Sequence, residues 1–135
     1  NDGVIGVFST ILGGNVFAAA GLTLSQAEAL GYSVIVGEAE SINRHPGTMP
    51  GGANLKVRLL FEAGRYVLIG GQVTGATSGG ELINVISACI NQRMTADDVV
   101  TFQTGTHPAL TASPVAYQLV NAAENAIGAS RATGV

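Results

Sequence analysis

Two histidines that each precede a proline are the side chains best suited to proton transfer or to a precise polar contact. His107 lies in the stretch GTHPALTASP, where Pro108 restricts His107 to extended backbone conformations and presents the imidazole from a stiff segment. Such placement suits a general acid or a positioning contact. Because no nucleophile, carboxylate pair or metal cluster accompanies it in sequence, a structural histidine bonded to a loop carbonyl is an equal alternative.

Three other candidate sites are better explained without chemistry. His45, in RHPGTMPGG, is interpreted as a solvated loop residue, because two histidines 62 positions apart make a poor metal signature. Cys89 falls in an apolar helical stripe without cationic neighbours, which predicts a buried, unreactive thiol. The segment VTGATSGGELIN resembles a nucleotide loop, yet its glycines do not fit G-x-G-x-x-G. Ser78 and Glu81 are therefore interpreted as a helix capping box.

The composition predicts a chain with little surface suited to water. Charged residues make up 11% and hydrophobic residues 47% of the sequence, whereas charged residues are roughly 25% of an average soluble domain. Either small residues build the core, or another subunit or domain covers part of the apolar surface. The net charge of −3 without a basic run disfavours nucleic acid and anionic membrane partners. The single cysteine fits a reducing, cytoplasmic location, and no stretch is apolar enough for a transmembrane helix.

Strands dominate the first half of the predicted elements. Residues 4–20 are predicted to be extended, with an interruption at Gly13-Gly14, and GLTLSQAEALGYS is predicted to be a short helix with a Thr23–Gln26 capping box. SVIVGEAE follows as a strand. NLKVRLLFEAGRYVLIGGQVTG predicts a hairpin with a three-residue connection, Ala63-Gly64-Arg65. The core face of its first strand is predicted to consist of Leu55, Val57, Leu59 and Phe61.

Helices dominate the second half. LINVISACINQRM has helical spacing, and Thr95 with Asp98 predicts a second capping box before a short helix that ends at about Phe102. Pro114 favours the start of a last helix, which is predicted to end near Gly128 and to leave 129–135 as a loose tail. The pattern predicts a single α+β domain over residues 1–135, with an antiparallel sheet, a central hairpin and helices packed on one face.

Four stretches of the chain fit one known pattern when they are taken together. They are AGLTLSQAEALGY, RHPGTMPGGANLKVRLLFEAGRYVLIGGQVTG, GGELINVISACINQRMTADDVVTFQTGTHPALTASP and YQLVNAA. In this order they resemble the C-terminal dimerisation domain of FAD-dependent pyridine nucleotide-disulfide oxidoreductases, in particular the NADH oxidase and CoA-disulfide reductase branch. The resemblance extends from residue 4 to residue 123.

The resemblance implies a module that pairs two subunits into a homodimer. It implies that FAD and NAD(P)H domains lie upstream in the same polypeptide. This chain would then be a fragment that binds no cofactor and is inactive by itself, and the start at Asn1 rather than at a methionine favours that interpretation. The resemblance also implies that the His107–Pro108 segment of one subunit completes the flavin site of its partner.

One position departs from the family pattern. In the glutathione-reductase branch a glutamate that orients the histidine follows it five positions later, where this chain has Ala112. Without that carboxylate His107 is less suited to proton transfer. The departure favours the oxidase-like branch, in which the flavin performs the chemistry. We therefore expect His107 and Pro108 to line a pocket in trans, and we assign no catalytic or metal-ligating residue.

Two other functions remain as alternatives. The first is a free-standing interaction domain that homodimerises and has no catalytic role. The second is an independent small enzyme that uses His107 and His45, which is disfavoured because no nucleophile, carboxylate pair or cofactor loop accompanies them.

Overall fold

One antiparallel sheet of five strands organises the chain. The computed structural model describes residues 3–134. The sheet order is β1-β2-β5-β4-β3, and every neighbouring pair is antiparallel. The strands are β1 (Val7–Leu12), β2 (Asn15–Gly21), β3 (Val34–Ile42), β4 (Asn54–Glu62) and β5 (Leu68–Gly75). The α+β class, the antiparallel sheet and the central β4–β5 hairpin are thus confirmed.

Four α-helices and one 3-10 turn connect or follow the strands. Helix α1 lies between β2 and β3, and the others follow β5. Their bounds are α1 (Leu24–Ala29), α2 (Gly79–Asn91), α3 (Ala96–Val100), the 3-10 turn Pro114–Ala116 and α4 (Gln118–Thr133). Within residues 3–134 no helix has both the length and the hydropathy that crossing a membrane requires.

Local capping signals account for the two shortest helices. The Thr23 side chain accepts from the Gln26 amide and the Gln26 side chain accepts from the Thr23 amide, which closes the predicted box at α1. Thr95 and Asp98 form the same reciprocal pair at α3. Both boxes are confirmed. They fix where each helix begins, because a helix this short has almost no stability of its own.

The connection between β4 and β5 is longer than predicted. It extends beyond Arg65, because Tyr66 adopts a left-handed φ of 57° and its amide donates to the Glu62 carbonyl at 2.8 Å. Val67 then forms an isolated bridge with Thr95, which links the hairpin to the start of α3. The predicted core face of β4 is confirmed, since its four apolar residues are all buried.

The two long helices pack on the same face of the sheet at glycines. Gly37, Leu59 and Gly71 are directly paired across β3, β4 and β5 and therefore face the same side. A Cβ at Gly37 would overlap the Ala122 carbonyl of α4, and a Cβ at Gly71 would lie 2.5 Å from Ile86 of α2. The prediction of helices on one face is therefore confirmed for α2 and α4.

The last helix begins and ends later than predicted. The predicted start at Pro114 is wrong, because Pro114–Ala116 forms a separate 3-10 turn and the extended Tyr117 precedes α4. Helix α4 extends to Thr133 and ends at Gly134, whose φ of 70° provides the left-handed cap. Ser130 is buried and its hydroxyl contacts the Tyr66 hydroxyl. The predicted helix end near Gly128 and the predicted loose tail are therefore wrong for residues 129–133. The final residue, Val135, lies outside the described residues.

The edge strand β1 is rich in apolar residues and is exposed along its whole length. All six of its residues are exposed, and Phe8, Ile11 and Leu12 are among the large hydrophobic side chains at the surface. Phe17, on the neighbouring strand, is exposed as well. Residues 3–27, which contain the whole β1–β2 hairpin, include no charged side chain.

We expect Gly37→Ala to lower the free energy of unfolding by about 1–3 kcal/mol, because the added methyl group forces α4 away from β3. Gly128→Ala is the matched control, since nothing lies within 4 Å of a Cβ added there and the position is inside α4. It should raise the same free energy by about 0.5–1 kcal/mol through helix propensity. Urea unfolding followed by circular dichroism measures both.

A Gly37→Ala variant as stable as the parent would contradict the close contact between α4 and β3. A Gly128→Ala variant without any gain would contradict a helix that continues past residue 128.

Candidate functional site

An open apolar groove of about 770 Å³ lies beside α2. Its walls come from α2, from the segment after α3 and from the residues that precede α4, and they include Leu82, Val85, Cys89, Phe102, Leu110 and Tyr117. Burial raises the pKa of the Tyr117 phenol above its ordinary value. Leu110 stands out because 66% of it is exposed at the groove wall.

The glycine-rich entry to α2 is not capped as predicted. Ser78 has helical backbone angles, φ −61° and ψ −18°, and its side chain makes no capping hydrogen bond. The Gly79 amide donates to the Ala76 carbonyl at 2.9 Å, and the Glu81 amide donates to the Ser78 carbonyl at 3.2 Å. The predicted capping box of Ser78 and Glu81 is therefore wrong, because successive turns already use these amide groups. The same bonds occupy donors that a bound phosphate would need.

Cys89 lies at the floor of the groove. It is only 2% exposed, and burial raises the pKa of its thiol. The prediction of a buried small hydrophobe is confirmed. A thiol that is both buried and protonated is a poor nucleophile.

His107 begins a tight, exposed turn that is held by local hydrogen bonds. The amides of Leu110 and Thr111 donate to the His107 carbonyl at 2.9 and 3.0 Å. The Ala109 amide donates to His107 Nδ1 at 3.1 Å. Since Nδ1 accepts this bond, the tautomer that fits it carries the ring proton on Nε2. The ring thus bonds a backbone amide, whereas the structural alternative proposed a loop carbonyl.

The loop of residues 43–53 packs against this turn. The His45 amide donates to the Pro108 carbonyl at 3.0 Å. Arg44 Nη1 donates to the Leu110 carbonyl at 3.1 Å and to the Asn43 carbonyl at 2.7 Å. The His45 side chain itself is exposed, which agrees with its interpretation as a solvated loop residue. The structure therefore joins the two His-Pro segments through backbone groups.

Ala112 is buried at the groove wall. The preceding Thr111 hydroxyl donates to the Ala112 carbonyl at 2.8 Å and accepts from the His107 amide at 3.3 Å, which closes the turn that His107 begins. No carboxylate is provided at this position, so the Ala109 amide is the group that bonds the ring of His107. Pro108 is exposed.

Sequence reasoning missed Asn43 and Arg44. Asn43 is 3% exposed, and its side chain accepts from the Ala53 amide at 2.8 Å and donates to Ser78 Oγ at 3.3 Å. The sequence showed only a loop dense in Gly, Pro and Asn. Nothing in that loop indicated that Arg44 bonds the Leu110 carbonyl, 66 positions later. Among residues 3–134, no three His, Cys, Asp or Glu side chains converge as metal ligands.

The fold and the sequence agree with one known family. A model of the pyridine nucleotide-disulphide oxidoreductase dimerisation domain matches residues 7–117, which is most of the chain. The chain belongs to this family. The resemblance inferred from sequence motifs is thereby confirmed. No curated protein sequence matches this dimerisation domain significantly.

Solved structures share the fold of the dimerisation domain. An NAD-dependent persulfide reductase from A. fulgidus has a TM-score of 0.83 at 23% identity, over 98% of this chain and 24% of its own. The water-forming NADH oxidase from Lactobacillus brevis, bound to NADH, has a TM-score of 0.83 at 21% identity, over 96% and 28%. A FAD-dependent pyridine nucleotide-disulphide oxidoreductase from Desulfovibrio vulgaris has a TM-score of 0.65 at 18% identity, over 93% and 27%. The dimerisation domain spans about a quarter of each of these chains.

We expect Cys89 in the native dimerisation domain to react with iodoacetamide at least about 100-fold more slowly at pH 8 than in the unfolded chain. Burial limits access, and the raised pKa reduces the thiolate fraction. The pH of half-maximal reaction should also lie above that of the unfolded chain. Mass spectrometry follows the reaction, and Cys89 is the single cysteine, so the signal has one source. Equal rates in the native and unfolded chains would contradict its burial.

Proposed function

We propose that this chain is the dimerisation module of a homodimeric oxidoreductase that depends on FAD and NAD(P)H. A second copy covers the groove in this proposal. The observation that carries it is the exposed apolar groove beside α2, because such a surface is costly to leave in water. The family to which the chain belongs is itself described as a dimerisation domain.

The groove and the His107 turn form one continuous surface. Leu110 contributes to the groove wall, and its amide is bonded to the His107 carbonyl. A partner that covers Leu110 therefore lies within reach of His107 and Pro108. We propose that this segment completes the flavin site of the partner subunit, with the Nε2–H of His107 as a polar contact at the pocket wall.

The remaining parts of the proposal concern the longer protein. The chain spans about a quarter of the solved chains that share its fold, and those include an NADH oxidase and a FAD-dependent oxidoreductase. We propose that residues 1–135 form one domain and that FAD and NAD(P) domains precede it in a cytoplasmic enzyme. The isolated chain is expected to bind no flavin and to oxidise no NAD(P)H.

We expect Leu110→Glu to raise the dimer dissociation constant of the chain at least about 30-fold, because the partner would bury a charge at the wall of the apolar groove. Leu30→Glu is the matched control, since Leu30 is 67% exposed, as Leu110 is at 66%, but lies at the end of α1 outside the groove. Sedimentation equilibrium gives both constants. A parent chain that stays monomeric well above micromolar concentration would count against the groove as the dimer interface. Equal increases of the dissociation constant in both variants would count against it as well.

We expect His107→Gln in the complete enzyme to reduce turnover by about tenfold or less, because no carboxylate tunes the ring for proton transfer. Pro108→Ala should have a comparable effect, since it loosens the same turn. The pH profile of turnover should keep its shape, because a positioning group need not titrate. Steady-state kinetics against pH measures these effects.

Loss of a general acid would instead reduce turnover by roughly 100- to 10,000-fold and remove one limb of the profile. That result would assign proton transfer to His107. No effect at all in an active full-length enzyme would contradict a role of His107 in the partner's flavin site and leave the dimerising role alone.

A further inference from the structure

We infer that Arg44 is a positioning residue that orients the His107 turn through its backbone carbonyls. The inference rests on the proposed function, since the turn matters for activity only if it reaches a partner's site. No motif in the sequence singles out Arg44, and its role follows from the contacts of the folded chain.

A single nitrogen of Arg44 joins two segments of the chain. Nη1 donates to the Asn43 carbonyl at 2.7 Å and to the Leu110 carbonyl at 3.1 Å. In the described part of the chain, the ion pairs join Glu38 to Lys56 and to Arg58, and none involves Arg44. The guanidinium therefore acts as a hydrogen-bond donor to carbonyl oxygens, for which its fixed donor geometry is suited.

One end of this connection is anchored in the core. Asn43 is 3% exposed, its amide donates to the Ala53 carbonyl at 3.0 Å, and its side chain bonds the Ala53 amide and Ser78 Oγ. The other end is the turn, where Leu110 is 66% exposed. Three hydrogen bonds fix the position of Asn43. Because Arg44 bonds both the Asn43 carbonyl and the Leu110 carbonyl, it restrains the exposed turn relative to the core.

A second hydrogen bond defines the orientation of the turn. The His45 amide donates to the Pro108 carbonyl at 3.0 Å, two residues before the Arg44 contact at Leu110. Between these two carbonyls lies Ala109, whose amide bonds His107 Nδ1. The Pro108 carbonyl lies in the same peptide plane as the Ala109 N–H, and the Leu110 carbonyl lies in the same plane as the Thr111 N–H that donates to the His107 carbonyl. The two hydrogen bonds together therefore fix the directions of both N–H groups. The imidazole orientation and the Nε2–H tautomer then follow.

Amide exchange in Arg44→Met tests the inference without any cofactor. Methionine keeps the unbranched side chain but removes the donors. We expect exchange at Leu110 and Thr111 to accelerate about tenfold or more, while the core amide of Val57 is unchanged. Nitrogen NMR of the His107 ring should show a new Nδ1–H fraction. The control is Arg65→Met, which removes the same charge at the far end of β4.

Two further variants complete the test. Arg44→Lys restores one donor and should exchange more slowly at Leu110 than Arg44→Met. Arg44→Gln replaces Arg44→Met if the latter does not fold, because its shorter side chain cannot bridge the same two carbonyls. Unchanged exchange at Leu110 and Thr111, or equal acceleration at Val57, would overturn the inference. These readouts use the chain diluted below its dimer dissociation constant, so failure of the proposed dimer leaves them interpretable.

Discussion

The close approach of two helices to the sheet at glycine positions determines where the other parts of the site lie. Gly37 leaves no room for a side chain beneath α4, and Gly71 leaves none beneath α2. Gly79 is the first residue of α2, and a Cβ there would lie 2.7 Å from Val73 of β5. Because interiors are close-packed, a methyl group at Gly37 would displace the backbone of α4, and one at Gly71 would displace the Ile86 side chain of α2. Tyr117 precedes α4 and Val85 lies on α2, so the width of the groove between them depends on these contacts.

Donors to backbone carbonyls, rather than a carboxylate, give the His107 turn its geometry. The Ala109 amide donates to His107 Nδ1. The Pro108 carbonyl accepts from the His45 amide, and the Leu110 carbonyl accepts from the Arg44 side chain. A carboxylate at the buried position 112 would have to be desolvated unless it were paired. The arrangement is therefore suited to holding the imidazole in a fixed direction.

Local signals were readable from the sequence, and distant contacts were not. Thr23 and Thr95 specify their helix starts through partners three residues away, so both boxes could be predicted. Ser78 and Glu81 have the spacing of a capping box as well, but the Gly79 and Glu81 amides donate to backbone carbonyls instead of to the Ser78 side chain. Gly128 resembles a helix end, yet burial of Ser130 continues α4 to Thr133. The contacts that join residues 43–45 to 108–110 depend on tertiary packing, and no periodicity encodes them.

The exposed hairpin of β1 and β2 affects the tendency of the chain to aggregate. An edge strand normally carries lysine, proline, a bulge or a cover, which prevents addition of a foreign strand. Residues 3–27 contain no charge and no proline, and β1 pairs with β2 over all six of its residues without a bulge. Its outer row of backbone donors and acceptors is a ready template for strand addition by another molecule. Solubility of the separate domain thus depends on whatever covers this edge.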